Sequence, residues 1–301
     1  ARLVPICKQP LRLDPQVGWY APHYLNGLGT VLEEVDSFDV LHSHLDIYSF
    51  PLAHLVSRKL LVTCHGRLDL SDLFPLYRRY RRVPMVSVSD SQRLPMPWAN
   101  WVATVYHGLP LESYPLGSGS GGYLAFLGRV SREKRLDLAI EVARRTGIPL
   151  KVAAKIDKMD KAYFEEKIAP LMDDPLVEYI GEIDDSQKPA FLGGALALLM
   201  PVDWPEPFGL VNIEAMACGT PVVARPCGSL PEVVRHGVTG YLAERVEDMA
   251  AAVERLDRIR RADCREHVAI NFTTARMARE YEAVYEALTS KPRRPLIKSA
   301  A

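Results

Sequence analysis

Apolar residues in this chain fall into short runs separated by segments of helical spacing, and the two patterns alternate almost from end to end. Runs at Asp39–Leu41, Leu60–Cys64, Val83–Val88 and Val102–Tyr106 read as buried strands. After a gap the series resumes at Tyr123–Leu127, Leu150–Ala153, Val177–Ile180, Ala195–Met200 and Pro221–Ala224. Between them, helical spacing is expected over Leu25–Val35, Ile47–Arg58, Leu136–Arg145 (closed by Gly147), Lys161–Met172, Gln187–Gly193, Gly209–Ala217 and Pro231–Arg235. Strands alternating with helices specify the α/β class, with parallel sheets and right-handed crossovers. From Val246 to Leu288 the pattern is helical, and Met277, Tyr281, Val284, Tyr285 and Leu288 form one apolar stripe suited to packing on a domain.

The break in the series coincides with Leu116–Gly122, LGSGSGG, which reads as a flexible hinge. Three parts are therefore expected: a domain over 1–116, a second over 117–275, and a helix and tail over 276–301, the helix packing back on the first domain. The last residues, 291–301, are basic and proline-bearing and are expected to be disordered.

Composition narrows the partners. Lysine plus arginine and aspartate plus glutamate number 37 each, so no net charge draws the chain to nucleic acid or a lipid surface. The five cysteines have no C-x-x-C spacing, which fits free thiols in a reducing, cytoplasmic setting rather than a structural zinc. No apolar run approaches the roughly 18 residues of a membrane span.

Candidate chemistry gathers where strands end. His44, His65 and Ser89 follow three successive strands of the first series, at the edge where open α/β sheets take ligands. His42 is expected to point away from His44, because strand side chains alternate. In the second series, Arg129 and Lys134 lie between a strand and a helix, a planar fork and a point charge suited to a pyrophosphate. The densest stretch is Met200–Val223: Glu206 stands between Pro205 and Pro207, Gly209 opens a helix, and Glu214 follows eight residues after Glu206. The amides of Gly209, Leu210 and Val211 would face an anion at that helix start, while Trp204, Phe208 and Met216 make the surroundings apolar. Glu214 calls for a cation or a ligand hydroxyl. Asp184-Asp185 reads as a helix cap rather than a metal pair.

The segment from Glu206 to Ala224, with its two glutamates, resembles the E-x7-E signature of the retaining glycosyltransferases of family 4, which have the GT-B fold. The resemblance extends to Gly128-Arg129 with Lys134, Gly228-Ser-Leu-Pro-Glu232, Gly237-Val-Thr-Gly240 and the strand end at His44. It implies two Rossmann-like parallel-sheet domains facing a cleft. The family's glycine-rich loop after a first strand has no match here, so the N-terminal domain is expected to lack its first βαβ segment.

The implied activity is a metal-independent, hexosyltransferase-like transfer from a nucleotide-diphosphate sugar, a UDP- or GDP-sugar, to an acceptor, with no cofactor. By this resemblance Glu206 binds donor-sugar hydroxyls, Glu214 the ribose, Arg129 and Lys134 the diphosphate, and His44 the sugar near its reacting carbon. The main chain of Phe208, Gly209, Leu210 and Val211 touches sugar or phosphate, and that around Ile183 reads the base. His65 and Ser89 remain candidates for the acceptor side. Two further readings stay open: a GT-B-fold epimerase or hydrolase of nucleotide sugars, and a non-catalytic nucleotide-sugar-binding protein.

Overall fold

The structure, a computed structural model, describes residues 2–11, 14–56 and 60–290. Two compact units emerge. Unit 1 comprises Ala1–Val88, Arg93–Val105 and Tyr281–Ala301; unit 2 comprises Ser89–Gln92 and Tyr106–Glu280. They meet in sequence upstream of the glycine-serine stretch. The α/β class with two parallel sheets, expected from the alternation, is what the chain adopts.

Unit 1 opens with α1 (Ala21–Glu33) and continues through β1 (Leu41–Ser43), β2 (Leu60–Thr63), α2 (Leu73–Arg79), β3 (Met85–Ser87) and β4 (Trp101–Thr104). The strands form a parallel sheet in order β1-β2-β3-β4. Phe50, Leu60, Val62, Tyr77, Met85 and Met96 fill its core. The first strand lies two residues later than its apolar run suggested. Pairing Leu41 with Leu60 and Ser43 with Val62 carries the ladder through His42 and Ser43, whose polar side chains hid it. The helix expected over Ile47–Arg58 is a 3₁₀ segment, Asp46–His54, with Pro51 inside it; proline supplies no N–H to an α-helical ladder. Arg58 lies outside the described residues. α2 carried no sequence expectation.

Unit 2 runs through β5 (Leu124–Arg129), α3 (Leu136–Thr146), β6 (Leu150–Lys155), α4 (Lys161–Tyr163), β7 (Val177–Gly181), α5 (Lys188–Gly194), β8 (Ala197–Met200), α6 (Leu210–Ala217), β9 (Val222–Ala224), α7 (Leu230–Val233), β10 (Gly240–Leu242), α8 (Val246–Val253) and α9 (Arg261–Asn271). α10 (Thr274–Ser290) starts in unit 2 and counts with unit 1 from Tyr281. The tail 291–301, expected to be disordered, lies outside the described residues. The parallel sheet has the order β10-β9-β8-β5-β6-β7. Successive strands thus run outward from β5 in one direction as far as β7, and from β8 in the other. Their crossovers leave to opposite sides, opening a crevice at the carboxyl ends of β5 and β8.

The helix expected over Lys161–Met172 breaks after α4 into a π segment, Phe164–Ile168, and a 3₁₀ turn, Ala169–Leu171. Pro170 removes one helical donor there, and the chain changes its hydrogen-bond step. The glycine-serine stretch is not a free hinge. Gly117, Gly119 and Gly121 donate backbone hydrogen bonds to the carbonyls of Cys218, Gly193 and Gly194. Arg261 adds bonds to the carbonyls of Gly117, Gly193 and Ala195. Its glycines serve close approach, since a Cβ at Gly117 would run into the backbone of Gly193.

Candidate active site

In unit 2 the switch-point loops are joined directly. The loop after β5 carries Arg129 and Lys134, the loop after β8 carries Glu206, and Asp203 N–H donates to the carbonyl of Glu133 at 2.9 Å between them. Lys134 Nζ donates to Glu206 Oε2 at 2.5 Å, and Trp204 Nε1 donates to the same oxygen at 2.8 Å. The ammonium also lies over the Trp204 ring, 5.4 Å from its centre. Glu206 is 8% exposed, and its backbone is held at both ends: its N–H donates to Trp204 O, and its carbonyl accepts Ser229 N–H. Gly228 makes the second contact possible. Its φ is +59°, and a Cβ there would run into the Glu206 backbone.

Glu214 repeats the arrangement one helix further on. It is 6% exposed, and its Oε1 accepts Lys188 Nζ at 3.0 Å and Tyr114 Oη–H at 3.2 Å. This is the cation that its place in the second turn called for. Burial alone would lower Lys188, yet its bonds to Asp185 and Glu214 outweigh that and raise it. The Tyr114 hydroxyl is raised first by burial and then by the charge of Glu214, so it remains a donor.

Between the two glutamates α6 begins at Gly209, whose φ of 75° turns the chain into the helix. Asn212 Nδ2 closes the turn on the Gly209 carbonyl at 2.8 Å. Leu210 and Val211 are the first helical residues, so no helical carbonyl precedes their N–H groups. The Phe208 side chain is 2% exposed and packs against Tyr106, His107 and Phe272, leaving only its main chain for a ligand. Ile183 is half-buried beyond the end of β7, next to Asp184, whose Oδ1 accepts the N–H groups of Ser186 and Gln187; these bonds close the turn before α5 rather than cap the helix, whose N-cap is Gln187.

Arg129 is not a bare fork. Its guanidinium lies among Glu133 (2.6 Å), Asp160 (3.4 Å) and Asp157 (3.8 Å). Burial pushes the Glu133 carboxyl up, but its hydrogen bonds, Arg129 among them, leave it below its ordinary range. Arg135, standing where a glycine commonly follows the lysine in the family it resembles, has φ 53°, the left-handed region. Its guanidinium is tied to Asp137 and Asp203, at 2.8 and 3.0 Å.

In unit 1 the parallel register puts the three strand ends on one edge. His44 Nδ1 and His65 Nε2 share a hydrogen bond of 2.8 Å, with their rings stacked 5.1 Å apart. His42 does not point away: its ring lies 4.3 Å from that of His44. Strand alternation stops at Ser43, so it does not govern His44. His42 bonds Thr63 and Tyr285 through its two nitrogens, at 2.7 and 2.8 Å. Burial first, and neighbouring histidines second, push His42 and His65 down to about 4. Ser89, which follows β3 but counts with unit 2, is fully buried and its Oγ accepts Gln92 N–H, which closes a turn.

Sequence reading missed Lys188 and Tyr114 and took Trp204 for apolar lining. Lys188 is the first residue of α5, directly behind the turn at Asp184-Asp185, a local sign that it faces the same edge. Tyr114 is 100 residues from Glu214 and offered no local sign.

Residues 118–271, which hold Lys134, Lys188, Glu206 and Glu214, match the family model described as Glycosyl transferases group 1. The chain belongs to the group 1 glycosyltransferases. The chain is 31% identical over 170 residues to an uncharacterised 41.2 kDa protein in the cps region of Klebsiella pneumoniae, covering 54% of the chain and 46% of that protein. It is 36% identical over 151 residues to the D-inositol 3-phosphate glycosyltransferase of Rhodococcus erythropolis, covering 50% of the chain and 26% of that protein. The chain thus spans less than half the length of these curated relatives. Among solved structures, the Anabaena protein Alr3699/HepE, in complex with UDP and glucose, superposes with a TM-score of 0.75 at 17% identity, over 92% of this chain and 84% of that one. Sucrose-phosphate synthase from Thermosynechococcus elongatus does so with 0.75 at 19% identity, over 93% and 81%. At such identities the likeness is one of fold, the GT-B type. No helix among the described residues is long and apolar enough to cross a membrane.

Proposed function

We propose that this chain is a retaining glycosyltransferase that binds a nucleoside-diphosphate sugar in unit 2 and passes the sugar to a hydroxyl acceptor. The observation that carries this reading is the pair of glutamates at the sheet's switch point, each paired through one oxygen with a lysine and an aromatic donor. Each has a second oxygen left for a hydroxyl, and the start of α6 lies between them. Glu206 takes the sugar hydroxyls and Glu214 the ribose. The main chain of Phe208, Gly209, Leu210 and Val211 faces the phosphate end, and that of Ile183 faces the base. The resolved complex of Alr3699/HepE supports a uracil nucleotide as the first donor to try.

In the proposed step the acceptor oxygen attacks the anomeric carbon on the face the diphosphate leaves. The bond from carbon to phosphate oxygen breaks as the new glycosidic bond forms, and the departing phosphate takes the acceptor's proton. Arg129 and Lys134 stabilise the charge that builds on it, each worth about 3 kcal/mol where well placed, so no metal is required. The five free cysteines support a reducing, cytoplasmic setting.

A thermal-shift screen of UDP-, GDP- and ADP-sugars tests the donor site. A matching donor at 100 times its Kd adds about 2.7 kcal/mol of stability. Product analysis with donor alone and with candidate acceptors then distinguishes transfer from hydrolysis. If no nucleotide sugar moves the transition, the reading fails.

A further inference from the structure

We infer that Trp204 is a positioning residue that fixes the plane of the Glu206 carboxylate and so the direction in which its second oxygen meets the donor sugar. This rests on the donor-site reading above. Two donors converge on Oε2: the indole N–H at 2.8 Å and the Lys134 ammonium at 2.5 Å. The main chain of Glu206 is fixed independently, by Trp204 O on one side and Ser229 N–H on the other. A glutamate held this way has little rotational freedom left. Its Oε2 is saturated, and Oε1 is the oxygen that remains to accept hydroxyl hydrogens.

A lysine alone does not set this orientation. An ammonium is a compact charge on a flexible stem, and it can follow a carboxylate as its plane turns without losing the pair. The indole N–H is a single donor on a rigid ring, fixed in direction, and only one carboxylate oxygen can meet it. The ring also lies under the lysine ammonium, so one side chain orients both members of the pair. Glu214 has Tyr114 in the corresponding role, a second directional aromatic donor beside a lysine. A sugar hydroxyl that meets Oε1 thus finds an acceptor already aimed, with no ordering cost left to the ligand. The consequence is selective: Trp204 serves the sugar half of the donor and not the nucleotide half.

Trp204→Phe keeps an aromatic ring beneath Lys134 and removes the N–H. The full chain is titrated calorimetrically with UDP-glucose, UDP-N-acetylglucosamine and GDP-mannose, with UDP and GDP as sugar-free controls. The expected result is a nucleotide affinity within twofold of wild type and a loss of about tenfold for the nucleotide sugar, the worth of one hydrogen bond to a charged group. Trp204→His, which returns a ring N–H, recovers part of it. Equal losses for nucleotide and nucleotide sugar would mean that the ring merely packs, and would overturn the inference. Unchanged sugar binding would do the same, as would a wild type that binds nucleotide sugar no tighter than nucleotide. A wild type that binds none of the five ligands removes the donor-site reading itself, and the inference with it.

Discussion

The pair Lys134–Glu206 is a stability element as well as a candidate ligand, and Lys134→Met separates the two roles. The side chains are 19% and 9% exposed, so the variant leaves a largely buried carboxylate with only the Trp204 N–H on it. Removing one partner of a fully buried pair costs about 3–5 kcal/mol. Here Oε1 keeps some access to solvent, which brings the expected cost to about 2–3 kcal/mol. Glu206→Gln keeps an acceptor for both donors but loses the charge, about 1.5 kcal/mol. If the two side chains act as a unit, the double variant loses about 2 kcal/mol rather than the sum, about 4. Urea unfolding followed by circular dichroism, fitted with one transition per unit, measures all four proteins. Losses that add within about 0.5 kcal/mol would refute the coupling. So would a Lys134→Met variant as stable as wild type, the behaviour of a solvent-exposed pair.

Gly228→Ala places a methyl group on the backbone of Glu206 at a φ of +59°, and the loop must shift to admit it. A loss of about 2–3 kcal/mol, with donor affinity down tenfold or more, is expected from unfolding and titration; unchanged donor binding would show that the Glu206 backbone need not be fixed. The histidines of unit 1 give a pH dependence with a definite sign. His42 and His65 sit at about 4 in the fold, against 6.5 for the ordinary group, so between those values the unfolded chain binds more protons. Their contribution is full above about pH 6.5 and is lost as the pH falls toward 4. The unfolding midpoint of unit 1 should therefore drop between pH 7.5 and 5.5, and less so in His65→Gln; equal midpoints in wild type would contradict the burial of these rings.

Some of this protein is written locally. The alternation of strand runs and helical spacing gave the class and most elements. The glutamates, the glycine before α6 and the basic loop after β5 were all legible, because each obeys a short-range rule: period, turn chemistry, or charge at an element end. Errors fell where a local rule met a competing one. Proline changed the hydrogen-bond step at Pro51 and Pro170, polar residues concealed β1, and a composition that elsewhere means a flexible linker here means close contact, because Gly193 and Arg261 were waiting for it.

What the sequence determined by itself, then, was the list of candidate groups and the elements that bear them. Tertiary structure decided their partners. Nothing within a few residues of Glu214 announces Tyr114 or Lys188, and nothing near Arg129 announces Asp157 or Asp160. The Lys134–Glu206 pair depends further on strand order, which places β5 beside β8 although two strands separate them in the chain. Strand order is a property of the whole sheet's burial, settled over long loops, and no window of sequence contains it. The same order makes the switch point, and with it the place where one oxygen of each glutamate is committed and the other is left for a ligand.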